Sequence, residues 1–385
     1  MASIKLKGDT SGELTIQAPS VAGTNTLDLP ASSGTLLTTT GNGSQLTGLP
    51  NSYAGTKNLI INGNMQIAQR ATSATGISAS GYQTVDRFIF SISSIGTYTL
   101  SQDTDVPAGQ GFSKSSKLLC TTADASPAAD DVLTVIQKIE AHNCQYLKFG
   151  TANAESLTLS FWVKSNKTGT YVLMMYRPDG GRLLSKTYTI DSADTWEKKT
   201  ITVDGDATGV IIDDNGEGFN LYWHLADGTN RTSGTPNTNW GAYSTPNEAA
   251  GQTVNLSDAI NNYINITGVQ LEVGTTATDF ENLQYTTQLQ LCQRYYQEYG
   301  GAYLIGGYQP GASEDYRRET FPVTMRATPT ASSAGTWATT GTSNTKPNIA
   351  AGSNNGVTIY AVTTGGTWYM DANSVDDKLI FSAEL

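Results

Sequence analysis

The chain has 385 residues, 23 of them basic and 34 acidic, for a net charge of −11; 15% are charged and 38% hydrophobic. With no cluster of Lys and Arg to displace counterions, the composition speaks against a nucleic-acid partner, and no apolar run approaches membrane-spanning length. Thr, Ser, Asn and Gly stand where charges usually would, a mix suited to exposed strands and turns.

Residues 1–55 form a first region of short apolar alternations, Leu14/Ile16, Leu27/Leu29 and Leu36/Leu37, separated by Pro- and Ser-rich turns. So few apolar side chains per strand cannot offset the ordering entropy of a single copy, so the segment is expected to fold with partners or to remain a disordered arm. Gly41-Asn42-Gly43-Ser44 and Leu49-Pro50-Asn51 read as a neck. The start, MASIKLKGD, lacks a signal-peptide core, which predicts synthesis in a cytosol.

Residues 56–300 hold the clearest strands. In Leu157–Lys164, Leu157, Leu159, Phe161 and Val163 share one face, the period-two pattern of a half-buried strand. The Asn166–Gly169 turn then predicts a hairpin with Tyr171–Tyr176, and Ile201/Val203 and Val210–Ile212 predict further strands. In Tyr263–Val273 the apolar phase switches across Thr267-Gly268, which predicts a β-bulge at the glycine. Thr287–Glu298, with Thr287 and Gln290 at capping-box spacing, is the best helix, either a packed connector or an oligomer seam.

Residues 301–385 are again strand and turn, from Phe321–Pro329 to a final apolar strand, Lys378–Leu385, that is expected to be paired and packed. Three widely spaced cysteines without a CxxC pair, Cys120, Cys144 and Cys292, predict buried free thiols over a disulfide.

Several segments together resemble phage tail-fibre and related virion proteins. Gly12-Glu-Leu-Thr-Ile-Gln-Ala-Pro19 and Thr26-Leu-Asp-Leu-Pro-Ala-Ser-Ser-Gly-Thr-Leu36 are similar to the short repeat near fibre N-termini. Asn58-Leu-Ile-Ile-Asn-Gly-Asn-Met-Gln-Ile-Ala-Gln-Arg70 with Val85-Asp-Arg-Phe88, Val135–Glu140, Leu157–Lys164, Gly268–Glu281, Cys292-Gln-Arg-Tyr-Tyr296 and Phe321–Pro329 resemble pieces of a jelly-roll domain in order and spacing. Relatives often have Trp where this chain has Phe88. The resemblance implies an all-β homotrimer: a fibre and virion-attachment segment at 1–55, a carbohydrate-binding-module-like jelly-roll sandwich at 56–300 ending in a short helix, and a C-terminal β tip domain at 301–385.

Catalysis finds little support. Only His142 and His224 are present, neither in a nucleophile motif, although paired carboxylates distant in sequence stay open. Asp213-Asp-Asn-Gly-Glu-Gly218 fails EF-hand spacing and reads as a solvated turn, with a calcium site as the alternative. No metal or cofactor is expected. Sugar recognition uses aromatic faces beside amides and carboxylates. Trp223, Trp240 and Tyr243, in or beside a polar loop at 226–252, and Trp337 and Trp368 in the third region are the candidates, with loop packing or core as the competing fates. The expected function is a structural phage component: a non-enzymatic trimeric tail fibre, assembled in the host cytoplasm, that docks to tail or baseplate proteins and binds a host-surface glycan. A head, neck or baseplate decoration and a polysaccharide depolymerase are the alternatives.

Overall fold

The computed structural model describes residues 3–7, 11, 13–17, 56–301 and 303–385. The chain divides into two units, Met1–Leu49 and Pro50–Leu385. In the first, β1 (Ser3–Lys7) and β2 (Glu13–Gln17) pair antiparallel, with Ser3 opposite Gln17 and Lys7 opposite Glu13. The alternations expected at Leu27/Leu29 and Leu36/Leu37, and the expected neck, lie outside the described residues.

The second unit begins with twelve strands: β3 (Ser73–Ile77), β4 (Phe88–Ser93), β5 (Thr97–Asp103), β6 (Ser115–Thr122), β7 (Val132–Glu140), β8 (Leu157–Ser165), β9 (Gly169–Arg177), β10 (Arg182–Ile190), β11 (Glu197–Val203), β12 (Glu217–Asp227), β13 (Gly241–Ala242) and β14 (Tyr263–Val273). They make two antiparallel six-stranded sheets, ordered β13-β10-β9-β12-β7-β4 and β11-β8-β14-β6-β5-β3. One apolar core lies between them, where Phe161 of β8 meets Trp223 of β12 edge-on at 5.8 Å and Phe90 of β4 meets Tyr98 of β5 at 5.4 Å. Each fully buried side chain of that size contributes on the order of 1.5–3 kcal/mol, so this is a β-sandwich sustained by its interior.

Leu157, Leu159, Phe161 and Val163 all face this core, as their alternation predicts. The expected hairpin does not form. β8 pairs with β11 and β14, whereas β9 pairs with β10 and β12 in the opposite sheet. The short link is held in a sheet-to-sheet crossing by Lys167 N donating to Ser165 Oγ (3.0 Å) and Tyr171 Oη donating to Lys167 O (2.8 Å). Val210–Ile212 is not a strand either; Ile211 is buried, while Val210 and Ile212 point outward, 58% and 53% exposed. The bulge in β14 is present. The register with β8 slips between Thr267 and Gln270, Gly268 adopts φ +63°, and Ile264, Ile266, Val269 and Leu271 consequently all reach the core.

A four-residue helix, α1 (Thr229–Thr232), lies in the long connection after β12, and α2 (Tyr285–Gln293) follows β14. The helix starts two residues before the predicted cap and ends at Gln293, because Tyr296 is taken into strand pairing opposite Ser382. Nine strands follow: β15 (Tyr296–Gly300), β16 (Tyr303–Gln309), β17 (Glu314–Thr320), β18 (Thr330–Ala334), β19 (Ala338–Thr340), β20 (Asn348–Ser353), β21 (Gly356–Val362), β22 (Gly366–Ala372) and β23 (Lys378–Ser382). They form three antiparallel three-stranded sheets, β15-β23-β18, β16-β22-β19 and β17-β21-β20, around a second apolar cluster that includes Met325, Ile359, Trp368, Met370 and Phe381. β23 is the central strand of its sheet, so its residues are paired on both sides, as predicted.

Polar contacts join the two cores. Arg294 donates Nε to Glu140 Oε2 at 2.8 Å, Gln69 Nε2 donates to Tyr296 O at 3.0 Å, and Asn215 Nδ2 donates to Arg326 O at 2.8 Å. The three cysteines are buried and unbridged.

Candidate functional site

The sheet containing β12 has a second face, turned away from the sandwich core, and strand register determines what stands on it. Ser91, Thr134, His224 and Val172 form one cross-strand row over β4, β7, β12 and β9. Ile89, Ile136, Tyr222, Met174 and Ser185 form the next, extending to β10. Lys138, Asn220, Tyr176 and Leu183 form a third. The long connection between β12 and β14 covers the β10 side of this face. Ser185 N donates to Asn237 O (2.8 Å), Asn237 N donates to Ser185 Oγ (3.1 Å), and Gly241 pairs with Leu183.

Between that cover and the open part of the sheet lies a cavity of about 220 Å³ lined by Ser91, Val132, Thr134, Met174, Tyr176, Tyr222, His224, Arg231, Tyr243 and Glu248. Its walls are chemically mixed. Tyr176 and Tyr243 tilt against each other with centroids 5.4 Å apart, and Tyr222 stacks on His224 at 6.3 Å. Arg231 Nε lies 3.0 Å from Glu248 Oε2, and Tyr243 Oη donates to Glu248 Oε1. Burial pushes the Tyr222 hydroxyl up to about 12, and burial together with its bond to Glu248 raises that of Tyr243, so both stay protonated donors at neutral pH.

His224 is set by a bulge. The register between β12 and β7 slips between His224 and Ala226, so Leu225 and Ala226 both turn into the core. In an unbroken strand, residues three apart face opposite sides. Here the extra residue returns Asp227 to the side of His224, and His224 Nδ1 meets Asp227 Oδ1 at 3.0 Å. Both side chains are almost wholly buried, at 1% and 0% exposure. His224 Nε2 and Asp227 Oδ2 have no hydrogen-bond partner.

Of the five aromatic residues singled out by sequence, Tyr243 alone lines this cavity. Trp223 is fully buried against Phe161 and Phe88, because it shares the core-facing parity of Phe219 and Leu221. Trp337 packs edge-on against Tyr303 and donates Nε1 to Ala334 O (2.9 Å); Trp368 donates Nε1 to Asp315 Oδ2 (2.8 Å). Both rings lie inside the second core and have no accessible face to stack on a sugar. Trp240 is half-buried at the end of the sandwich core, perpendicular to Phe149 and Phe219, and borders a separate cavity of about 260 Å³ with Arg182, Asp204, Asp206 and Thr208. In the segment Tyr222-Trp223-His224 it is Tyr222 and His224, flanking the expected Trp223, that line the cavity, and Tyr176 joins them with no sequence expectation behind it. The parity of Phe219, Leu221 and Trp223 was the signal that places their neighbours outward.

Of Asp213–Gly218, Asp213–Asn215 are exposed in a bend and Glu217 and Gly218 already belong to β12; Gly216 N donates to Asp214 Oδ1 (2.7 Å) and His142 Nδ1 contacts Asp213 (2.7 Å). Among the described residues, no group of three or more His, Cys, Asp and Glu side chains is arranged to hold a metal ion.

No protein-family model matches the chain, and a search of curated proteins finds no match. Solved structures with partial likeness include the enzymatically active domain of tailspike protein 4 from bacteriophage CBA120, at 13% identity over 57% of this chain and 22% of that one, TM-score 0.31. A putative sugar-binding protein of Bacteroides thetaiotaomicron matches at 12% identity over 56% and 100%, TM-score 0.31. The family 11 carbohydrate-binding module of a Clostridium thermocellum cellulase matches at 10% identity over 53% and 98%, TM-score 0.27. The match spans about a fifth of the tailspike chain, and likeness at this level assigns the chain to no family.

Proposed function

We propose that this chain is a glycan-binding component of a phage virion, a homotrimeric tail fibre that attaches to the host surface through the cavity on the outer face of the β4–β13 sheet. The observation that supports the binding role is the convergence of three tyrosines and Met174 with Arg231, Glu248 and an unpartnered His224 nitrogen around one cavity. Pyranose rings present apolar C–H faces and polar rims, and this lining offers aromatic faces and hydrogen-bonding groups for each.

The role is binding without turnover. Glu248, the carboxylate lining the cavity, is already engaged by Arg231 and Tyr243. A single cavity of this size gives modest affinity, and three copies on one stalk convert modest contacts into firm attachment. The virion role rests on the resemblance of the N-terminal repeat and the Asn58–Arg70 segment to fibre proteins, with residues 1–55 docking to tail or baseplate proteins.

The test is a glycan microarray probed with the purified chain and with Tyr222→Ala, together with gold-labelled antibody on intact particles. Expected are discrete glycan hits that Tyr222→Ala loses and label at the tail. Label confined to head or neck points to a decoration protein, and release of oligosaccharides from bound glycan overturns the non-enzymatic role.

A further inference from the structure

Resting on the glycan reading of the cavity, we infer that its ligand is a neutral sugar, and that His224, locked by Asp227, accepts a hydrogen bond from one sugar hydroxyl. The first half follows from charge. The cations around this face are already paired: Arg231 with Glu248, and Lys138 with Glu217 at 2.6 Å. Arg231 also donates Nη1 to Asp130 O at 3.1 Å. Behind His224 stands the Asp227 carboxylate, whose Oδ2 has no partner. A uronate or sialate entering this partly buried space meets the Glu248 carboxylate, with that of Asp227 behind His224, and one arginine already bound to Glu248, so its own charge loses water and gains no counter-ion.

The second half follows from tautomer. A carboxylate only accepts, so in the neutral form of the His224 imidazole the hydrogen sits on Nδ1, facing Asp227 Oδ1, and Nε2 keeps its lone pair. That nitrogen belongs to a side chain that lines the cavity, yet it has no partner in the folded chain. Buried polar atoms in folded proteins are nearly always satisfied. A hydroxyl donor supplied by the ligand completes the set, and the bulge at Leu225-Ala226 that creates the pair also fixes the ring's direction. His224 is therefore a specificity-determining residue, and Asp227 a positioning residue behind it.

The experiment is titration calorimetry with the strongest neutral oligosaccharide from the array and its uronic-acid counterpart. Three proteins are compared: wild type, Ser91→Trp, which fills the cavity, and the double variant His224→Phe/Asp227→Asn. The double variant removes the acceptor without stranding a buried carboxylate, and its melting temperature is recorded beside its affinity. Expected are binding of the neutral sugar at least about tenfold tighter than of the acidic one, abolition by Ser91→Trp, and about tenfold weakening in the double variant, the loss of one buried hydrogen bond. Tighter binding of the acidic sugar overturns the neutral assignment. Wild-type affinity in a folded double variant, with Ser91→Trp inactive, overturns the His224 role and leaves the cavity standing. Full affinity in Ser91→Trp removes the cavity reading itself.

Discussion

Arg70 Nη2 donates to Glu384 Oε1 across 2.9 Å, joining side chains 314 positions apart in the sequence. Arg87, almost fully buried, donates to the other oxygen of the same carboxylate and lies 3.5 Å from the ring centroid of Tyr295, as Arg70 lies 3.7 Å from that of Tyr296. Glu384 thus neutralises two arginines between the sandwich and the second core. Removing it strands a buried guanidinium, which typically costs about 3–5 kcal/mol. Glu384→Ala is expected to lower the unfolding free energy by that amount, shifting the denaturant midpoint down, and to separate the unfolding of the two cores. A single transition at the wild-type midpoint contradicts the assignment.

Gly268 makes the β14 bulge possible. Its φ is +63°, and a Cβ there would stand 2.6 Å from Phe112 Cζ. Gly268→Val combines left-handed strain with overlap, each on the order of 1–3 kcal/mol. A destabilisation of at least about 2 kcal/mol in chemical denaturation is expected; a neutral result means that the strand repacks without its bulge.

Asp206 should govern part of the acid limb. Burial alone would raise its carboxyl, but hydrogen bonds from Arg182 and the Thr208 amide and the charge of Arg177 outweigh that and hold it below the usual range. A depressed folded value contributes stability above the unfolded value of about 3.9, lost as pH falls through the folded one. Asp206→Asn is expected to be less stable than wild type at pH 7, with the difference shrinking below about pH 4. Parallel stability curves for the two proteins down to pH 2 would refute this.

The thiols should be silent in the native state. Burial pushes Cys144 up to about 12, raises Cys120 and sets Cys292 well above its ordinary range. Thiolate is the reactive form. Ellman's reagent at pH 8 is expected to modify little of the folded protein and all three cysteines in denaturant. Rapid titration of even one native thiol would show an opening absent from this fold.

Much of the sandwich was legible because period-two parity is local. Leu157–Val163 and the phase switch at Gly268 could be read residue by residue. Sheet membership could not, since alternation says which side chains share a face and nothing of which sheet a strand joins; hence the β8–β9 hairpin that is a crossing. The helix overran because Tyr295 and Tyr296 fit a helical stripe locally, and pairing with β23 decides otherwise. At the site, large aromatics drew notice for size, whereas Trp223 lies inside and its smaller neighbours Tyr222 and His224 face the cavity. The Asp227 pairing depends on a bulge that no spacing rule announces.

The cavity has a floor and a wall of different origin. Its floor is strand register, where one slipped residue would turn the whole row over, while its wall is mostly irregular chain after β12 that makes few ladder bonds of its own. Changes in the wall therefore leave the framework intact, and the lining of the cavity can be rewritten by editing one connection while the architecture is kept.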